Sequence, residues 1–321
     1  LENTARAVRE QGGFHQVSLE ETLELAHAYS REYADQRFGQ LQSQRMEYLF
    51  RRNLAELDMV VQELWQELRE SDFQPEDFEV AFGSGEEDSL PPISIPNGKM
   101  NAILRGFVDR VDVWQSPGSR YYRVVDYKTG KKDFDYCDVF NGVGLQMLLY
   151  LFALKESGGK LLGERPIPAG VQYFPARVPY ILTEGLPSEQ EIADKRQKEW
   201  KRQGLLLGDR AVLDAMEPGE QKKRLPVREK DGELTGDLAD REQLRLLEKF
   251  VFRVLGGLVE QIASGNVEPN PYIRGSSHDA CRFCPYGAVC HSESVAGRRN
   301  YKTMTAQQFW QRVGEEMEKH G

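Results

Sequence analysis

Residues 105–128 constrain the fold most, because they predict two antiparallel strands joined by a polar turn. Residues 115–120, Gln-Ser-Pro-Gly-Ser-Arg, supply the turn. With that loop, Trp114 lies opposite Tyr121, and counting back along the ladder places Asp109 opposite Asp126. Two like charges directly opposite each other in a sheet are destabilising unless something compensates for them. The hairpin therefore predicts a paired-carboxylate site.

The same hairpin predicts a cation beside the two carboxylates. Side chains alternate between the faces of a strand, so Asp126 and Lys128 point the same way. A divalent metal would compensate for the paired charges, and a small set of hard oxygen ligands suits magnesium or manganese. Asp109, Asp126 and Lys128 together are typical of a metal-dependent phosphodiesterase site.

A competing interpretation is that Asp126 and Lys128 are ordinary solvated residues near a strand end, which is the commoner role of such a tripeptide. The run Tyr-Tyr-Arg-Val-Val at residues 121–125 is largely apolar and predicts a buried strand. Buried carboxylates rarely lack a partner. The register with Asp109 and this apolar run favour the metal site.

Composition bounds the class of protein. The 321 residues are 40% hydrophobic and 29% charged, which is typical of a globular protein with one large or two ordinary domains. A net charge of -9 argues against a basic surface overall, but an acidic protein can carry a local basic groove. No long apolar run and no signal peptide occur, so no membrane association is expected. The start at Leu1, inside a helix-like pattern, indicates a fragment of a longer protein.

Three parts are predicted along the chain. Residues 1–72 form an N-terminal helical part of three helices, residues 73–275 a core of strands and helices, and residues 276–321 a cysteine-containing segment that packs on the core. In the core, residues 168–174 predict a strand beside the hairpin, and residues 188–203 a charged helix. The basic side of that helix is a candidate contact for a DNA backbone, although such faces are usually just solvated.

Residues 145–154 are apolar nearly all round, which predicts a buried helix. Its polar members Gln146 and Tyr150 are four residues apart and share one face. A buried glutamine needs a hydrogen-bonding partner. A substrate phosphate, the site carboxylates and the neighbouring backbone are all candidates.

Three cysteines near the C-terminus predict a metal centre, because the pattern C-x2-C-x5-C can wrap one metal: Cys281, Cys284 and Cys290. Zinc would need a fourth ligand such as His291 or His278. An iron–sulfur cluster normally takes four thiolates, and Cys137 is the one remaining cysteine. Three free cysteines are the other alternative.

The motifs taken together resemble the RecB-like PD-(D/E)XK nucleases and, over nearly the whole chain, the nuclease regions of bacterial AddAB-type helicase–nucleases. The matching stretches are residues 106–112, 125–128, 168–174 and 204–209, Gln146 with Tyr150, and the cysteine triplet. The resemblance implies an α/β (α+β) fold of the restriction-endonuclease and lambda-exonuclease type, with a mixed sheet flanked by helices. It implies a cytoplasmic bacterial enzyme of double-strand-break repair and recombination, which hydrolyses DNA phosphodiesters at single-stranded ends and works with a partner of the AddA type.

The resemblance also implies roles for individual residues. Asp109, Asp126 and the Tyr127 carbonyl would bind Mg2+ or Mn2+, and Lys128 would orient or activate the attacking water. Gln146 and Tyr150 would support substrate and site. The cysteine triplet would supply three of the four ligands of a [4Fe-4S] cluster. The family places a further metal-binding histidine and the first cluster cysteine upstream of the region where this chain starts.

Two other functions fit parts of the pattern. A stand-alone RecB-like or CRISPR-adaptation exonuclease would share the core and the cysteines, but the internal start and the additional helices argue against it. A non-catalytic, metal-stapled DNA-binding module would use the cysteines alone. The joint presence of Asp109, Asp126 and Lys128 argues against that module.

Overall fold

The computed structural model describes residues 1–39, 43–85, 89–97, 100–183, 185–230, 232–275, 278–290 and 298–319. The helices are α1 (Glu2–Glu10), α2 (Leu19–Phe38), α3 (Gln44–Glu70), α4 (Tyr136–Phe140), α5 (Gln146–Ser157), α6 (Gly159–Leu162), α7 (Glu189–Glu199), α8 (Arg210–Met216), α9 (Arg241–Ala263), α10 (Gly287–Cys290) and α11 (Ala306–Glu318). The strands are β1 (Gln74–Phe82), β2 (Ile93–Asn97), β3 (Met100–Leu104), β4 (Gly106–Ser116), β5 (Ser119–Lys128), β6 (Ile167–Pro175), β7 (Gln203–Leu207), β8 (Val227–Lys230), β9 (Glu233–Gly236), β10 (Leu238–Ala239), β11 (Tyr272–Arg274), β12 (His278–Asp279) and β13 (Arg299–Asn300). None of the helices in these ranges is long and apolar enough to cross a membrane.

The predicted N-terminal helices are confirmed as α1, α2 and α3. A capping box formed by Ser18 and Glu21 starts α2, since each side chain satisfies a backbone N–H of the other residue. On α3, Val60, Leu64 and Leu68 recur at intervals of four and form one buried stripe. That stripe packs in one apolar cluster with residues of α1 and of the sheet, which places the N-terminal helices against the core strands.

The predicted mixed sheet flanked by helices is confirmed. Six strands follow the order β1-β4-β5-β6-β7-β10. β5 runs parallel to β6 and antiparallel to β4, so the two central pairings differ in direction. The strand predicted at residues 168–174 is β6, and it lies beside the hairpin as expected. The charged helix predicted over residues 188–203 ends earlier, at Glu199, because residues from Gln203 onward pair with β6 as β7.

The hairpin turn is tighter than the six residues expected. Gln115 pairs with Arg120 and Ser116 with Ser119, so only Pro117 and Gly118 remain between the strands. Gly118 has φ of 77°, and proline followed by a glycine of positive φ suits a type II turn. The pairing partners are unchanged by this difference, and Trp114 still lies opposite Tyr121.

The chain divides into two compact units. The first comprises residues 1–92, 105–134 and 150–241 and contains the six-stranded sheet with α1, α2 and α3. The second comprises residues 93–104, 135–149 and 242–321 and contains the β2–β3 pair, α9 and the cysteine triplet. The domain boundaries expected after residues 72 and 275 stay predictions.

A buried ion-pair network lies in the first unit between α3 and the sheet. Glu67 accepts from Arg123 at 2.9 Å and from Arg202 at 2.5 Å and 2.9 Å. Arg123 also binds Asp112 at 2.8 Å, and Arg110 lies 2.7 Å from the same carboxylate. Burial alone would raise the pKa of Glu67, but the three arginines outweigh it and hold that pKa well below its usual range. The network therefore joins α3 to β4, to β5 and to the residue just before β7. The charged side chains that form it have almost no access to water.

Candidate active site

The two predicted carboxylates lie next to each other at the open end of the β4–β5 hairpin. The ladder runs as far as the pair Arg110 and Val125, and Asp109 and Asp126 occupy the next register position. Asp109 Oδ2 accepts a hydrogen bond of 2.8 Å from the backbone N–H of Tyr127. This bond fixes the Asp109 carboxylate against the strand that carries Asp126.

Lys128 lies on the same strand as Asp126 and is the third charged residue of this group. Its Nζ lies 2.5 Å from Asp126 Oδ2, with the lysine side chain about one-third exposed (36%) and the aspartate side chain largely buried (9%). Burial raises the pKa of Asp126; the positive charge of Lys128 opposes this effect, and the negative charge of Asp109 adds to it. Two acids and one ammonium therefore converge, and the aspartates repel each other when both are ionised.

The donor set suits a hard divalent cation. Asp126 Oδ2 is buried and lies 2.5 Å from the Lys128 ammonium, so a metal bound at this oxygen would take the place of that ammonium. Carboxylate oxygens with one backbone carbonyl and several waters are the usual environment of Mg2+. Within the described residues, no group of three or more His, Cys, Asp or Glu side chains is placed to hold a metal. Asp109 and Asp126 therefore fit a site to which the protein contributes few ligands, with the Tyr127 carbonyl as the predicted third.

A second pair of carboxyls lies near Asp109 and was not assigned to the site from the sequence. The residues before and after Glu79 on β1 pair with the residues after and before Asp109 on β4, so Glu79 lies opposite Asp109. The backbone of Glu79 has φ of 51°. Burial, then a hydrogen bond that the protonated Glu2 carboxyl donates to Glu79 and the negative charges of Glu79 and Asp109, raise the pKa of Glu2 to about 7. Glu2 and Glu79 are separated by the whole helical part, so no local sequence signal joins them.

We expect Glu79→Gln to stabilise the chain increasingly as pH rises from 5 to 8. Glu2 binds its proton more tightly in the folded protein, so this contribution to the unfolding free energy is fully present near pH 4 and is lost as pH approaches about 7. Without the negative charge of Glu79, the pKa of Glu2 in the folded protein is raised less, so less of this unfolding free energy is lost as pH rises. Urea unfolding at pH 5, 6, 7 and 8 measures the difference from the unsubstituted chain, with exposed Glu10→Gln as control. A difference that stays constant with pH would contradict the contribution of Glu79 to the raised pKa of Glu2.

Tyr150 is buried in the first unit, where its ring stacks on Phe82 with centroids 5.9 Å apart. A Cβ on Gly106 would lie 2.1 Å from the tyrosine hydroxyl oxygen, so only glycine leaves room for this side chain. Gln146 is the first residue of α5 and belongs to the second unit. The supporting roles of Tyr150 and Gln146 stay predictions.

In the described residues, the cysteines are not grouped as the ligands of one metal ion. Cys281 is half-buried, whereas Cys284 and Cys290 are exposed, and no group of three ligands is placed to hold a metal. Cys137 is buried, and its thiol donates to the Lys302 carbonyl at 2.8 Å, so it is engaged apart from the triplet. His291 lies outside the described residues. The triplet supplies three thiols where a [4Fe-4S] cluster normally takes four, and the cluster stays a prediction.

Known proteins match both the hairpin and the segments around it. An ATP-dependent helicase/deoxyribonuclease subunit of Moorella thermoacetica is 36% identical over 277 residues, which are 84% of this chain and 24% of that protein. The corresponding protein of Symbiobacterium thermophilum is 34% identical over 281 residues, 85% of this chain and 24% of that protein. For Acetivibrio thermocellus the identity is 34% over 255 residues, 77% of this chain and 22% of that protein. The chain thus spans about a quarter of the length of these relatives.

The model of the PD-(D/E)XK nuclease superfamily matches residues 7–291. The matched range contains the whole six-stranded sheet, the opposed aspartates and the lysine that follows them. Since the match extends over most of the chain, the chain belongs to the PD-(D/E)XK nuclease superfamily.

Proposed function

We propose that the chain is a metal-dependent DNA nuclease domain that hydrolyses phosphodiester bonds at the end of the β4–β5 hairpin. The observation that supports this most is the meeting of Asp109, Asp126 and Lys128, with a 2.5 Å ion pair between the last two. Mg2+ is the proposed ion and Mn2+ its substitute, since both prefer oxygen ligands. An exonuclease acting on single-stranded ends is the proposed mode.

Each residue has a distinct task in this reaction. A bound divalent ion would polarise the phosphate and lower the pKa of a water molecule. Asp109 and Asp126 hold that ion, and the Tyr127 N–H keeps the Asp109 carboxylate in place. Lys128 is tethered by Asp126 and partly exposed, so its ammonium is positioned to orient the attacking water and to stabilise negative charge on the phosphate.

We infer the biological context from the relatives. Their name describes one subunit of an ATP-dependent helicase and deoxyribonuclease. By this similarity the chain would act in a bacterial, cytoplasmic helicase–nuclease that repairs and recombines DNA breaks, beside a partner of the AddA type. The cysteine triplet would then contribute three ligands to an iron–sulfur cluster.

The test is degradation of linear, end-labelled single-stranded DNA by the 321-residue chain. We expect cleavage with Mg2+, none with EDTA, and recovery when Mg2+ is added in excess. Lys128→Ala should lower the rate about 100- to 1,000-fold, as expected for loss of one charge-stabilising group. The exposed Lys249→Ala is the control. Cleavage that persists in EDTA, or that is indifferent to Lys128→Ala, would contradict the proposal.

A further inference from the structure

A narrow basic pocket adjoins the candidate active site in the first unit. It has a volume of about 120 Å3. Its cationic lining comes from three separate segments: Lys128, Lys131 and Lys132 after β5, Arg177 after β6, and Lys198 and Lys201 around the end of α7. Asp133 and Glu199 are the acidic residues in the same lining. Six cations and two anions thus meet here, in a chain whose net charge is -9.

The pocket continues directly from the carboxylate site. Lys128 belongs to both, since it pairs with Asp126 and lines the pocket. Asp126 is also the register neighbour of Tyr173 on β6, which in turn pairs with Gln203 on β7, and both of these residues line the pocket. A polymer cleaved at the carboxylates would therefore extend across β6 and β7 into the basic pocket.

The walls of the pocket are held by specific contacts. Trp200 is buried, and its indole N–H donates to the Arg177 carbonyl at 2.9 Å, which ties the end of α7 to the segment after β6. Lys132 Nζ lies 5.9 Å from the centre of the Tyr173 ring, and both residues line the pocket. Lys195 of α7 donates to the Leu182 carbonyl and is not part of the lining, whereas Lys201 lines the pocket and also donates to the Val227 carbonyl at 3.2 Å.

Size and charge select the occupant. Pockets that take whole small-molecule ligands are roughly 300–1,000 Å3, so a volume of about 120 Å3 suits a phosphate group better than a nucleoside. Lysine clusters bind phosphate as point charges and show no preference for a base. A phosphodiester backbone supplies such groups at regular spacing next to the bond that is cut.

We propose that this pocket binds a backbone phosphate of the DNA strand next to the cleaved phosphodiester, on the β6–β7 side of Asp126. The assignment rests on the proposed nuclease function and deepens it. It gives the strand a direction of exit from the site, across β6 toward α7. Binding at this subsite is electrostatic and independent of base sequence.

The experiment measures the salt dependence of binding to a fluorescent oligonucleotide of twelve thymidines, in EDTA so that no strand is cut. Each phosphate contact on single-stranded DNA contributes about 0.7 to the slope of log K against log salt. We expect the double substitution Lys131→Gln with Lys132→Gln to reduce that slope by about 0.7, which is one such contact. The independent pair Lys198→Gln with Lys201→Gln should do the same. Lys195→Gln, on the same helix but outside the lining, is the matched control and should leave the slope unchanged.

Slopes equal to that of the unsubstituted chain in both double variants would overturn the proposal. The proposal would also be overturned if these lysines bound inorganic phosphate while the oligonucleotide slope stayed unchanged, because the ligand would then be a free anion. The nuclease function is tested separately by cleavage with Mg2+. If cleavage fails but the slopes fall, the pocket assignment stands and the proposed catalysis does not; if cleavage occurs and the slopes do not change, the reverse holds.

Discussion

Replacing Glu67 by alanine is expected to lower the free energy of unfolding by about 3–5 kcal/mol, the usual effect of removing one partner of a buried ion pair. Glu67 lies in α3 and is 5% exposed. It is hydrogen-bonded to Arg123 and Arg202, each at most 1% exposed, and Arg110 lies 3.5 Å away. The substitution would leave three guanidinium groups in the interior with one carboxylate fewer among them.

Urea unfolding measures this effect, with the m-value showing whether the transition stays two-state. Glu56→Ala, on the exposed side of the same helix, is the control and should change stability by no more than about 0.5 kcal/mol. A loss below about 1 kcal/mol for Glu67→Ala, well under the usual effect, would mean that the arginines find other partners or water. The ion-pair network would then contribute little to holding α3 on the sheet.

Asp126→Asn is expected to reduce Mg2+-dependent cleavage by about 1,000-fold or more. Losing a charged metal ligand removes several kcal/mol of charge stabilisation from the transition state, and each ~1.36 kcal/mol is a factor of ten in rate. The substitution is nearly isosteric, so the fold should remain. Because burial raises the pKa of Asp126, its ionised form opposes folding in the absence of metal. In EDTA the variant should therefore be at least as stable as the unsubstituted chain.

Two measurements separate catalysis from folding in this variant. Initial rates of DNA degradation give the catalytic loss, and isothermal titration with Mg2+ gives the change in affinity. Asp72→Asn, an exposed aspartate just before β1, is the matched control for both. Cleavage by Asp126→Asn within about tenfold of the normal rate, a barrier change of only ~1.36 kcal/mol, would remove this residue from the proposed metal site.

The hairpin and its register follow from the sequence because they depend on local rules. The alternation of side chains between the two strand faces along residues 121–128, with the turn-forming residues at 115–120, is sufficient to place Asp109 opposite Asp126. The exact turn length does not change that pairing, so the overestimated loop had no effect on the predicted site. The strand β6 was also predictable from its apolar residues, whereas the mixed sheet was an implication of the family resemblance.

The ion-pair network and the basic pocket could not be predicted in the same way. Arg123 interrupts an apolar strand, and the local sequence alone suggests that its side chain faces solvent. Its partner Glu67 is 56 residues away in the sequence. The pocket lysines come from segments that only the strand order brings together. Such clusters depend on the tertiary arrangement, and neither hydrophobic periodicity nor short motifs carry that information.

β5 carries Asp126 and Lys128, and its central position in the sheet limits the backbone motion of the candidate active site. β5 is hydrogen-bonded to β4 on one side and to β6 on the other, whereas β10 lies at the edge of the sheet. Amide hydrogens of doubly paired central strands exchange with solvent mainly through cooperative opening of the whole unit, and those of edge strands through small local fluctuations. Asp126 and Lys128 lie at the end of this strand, where the ladder with β4 stops at Val125 but the pairing with β6 continues to Lys128, so the sheet holds their backbone from one side. In the proposed nuclease, adjustment to the DNA strand would therefore fall to the lysine-bearing segments outside the sheet rather than to β5.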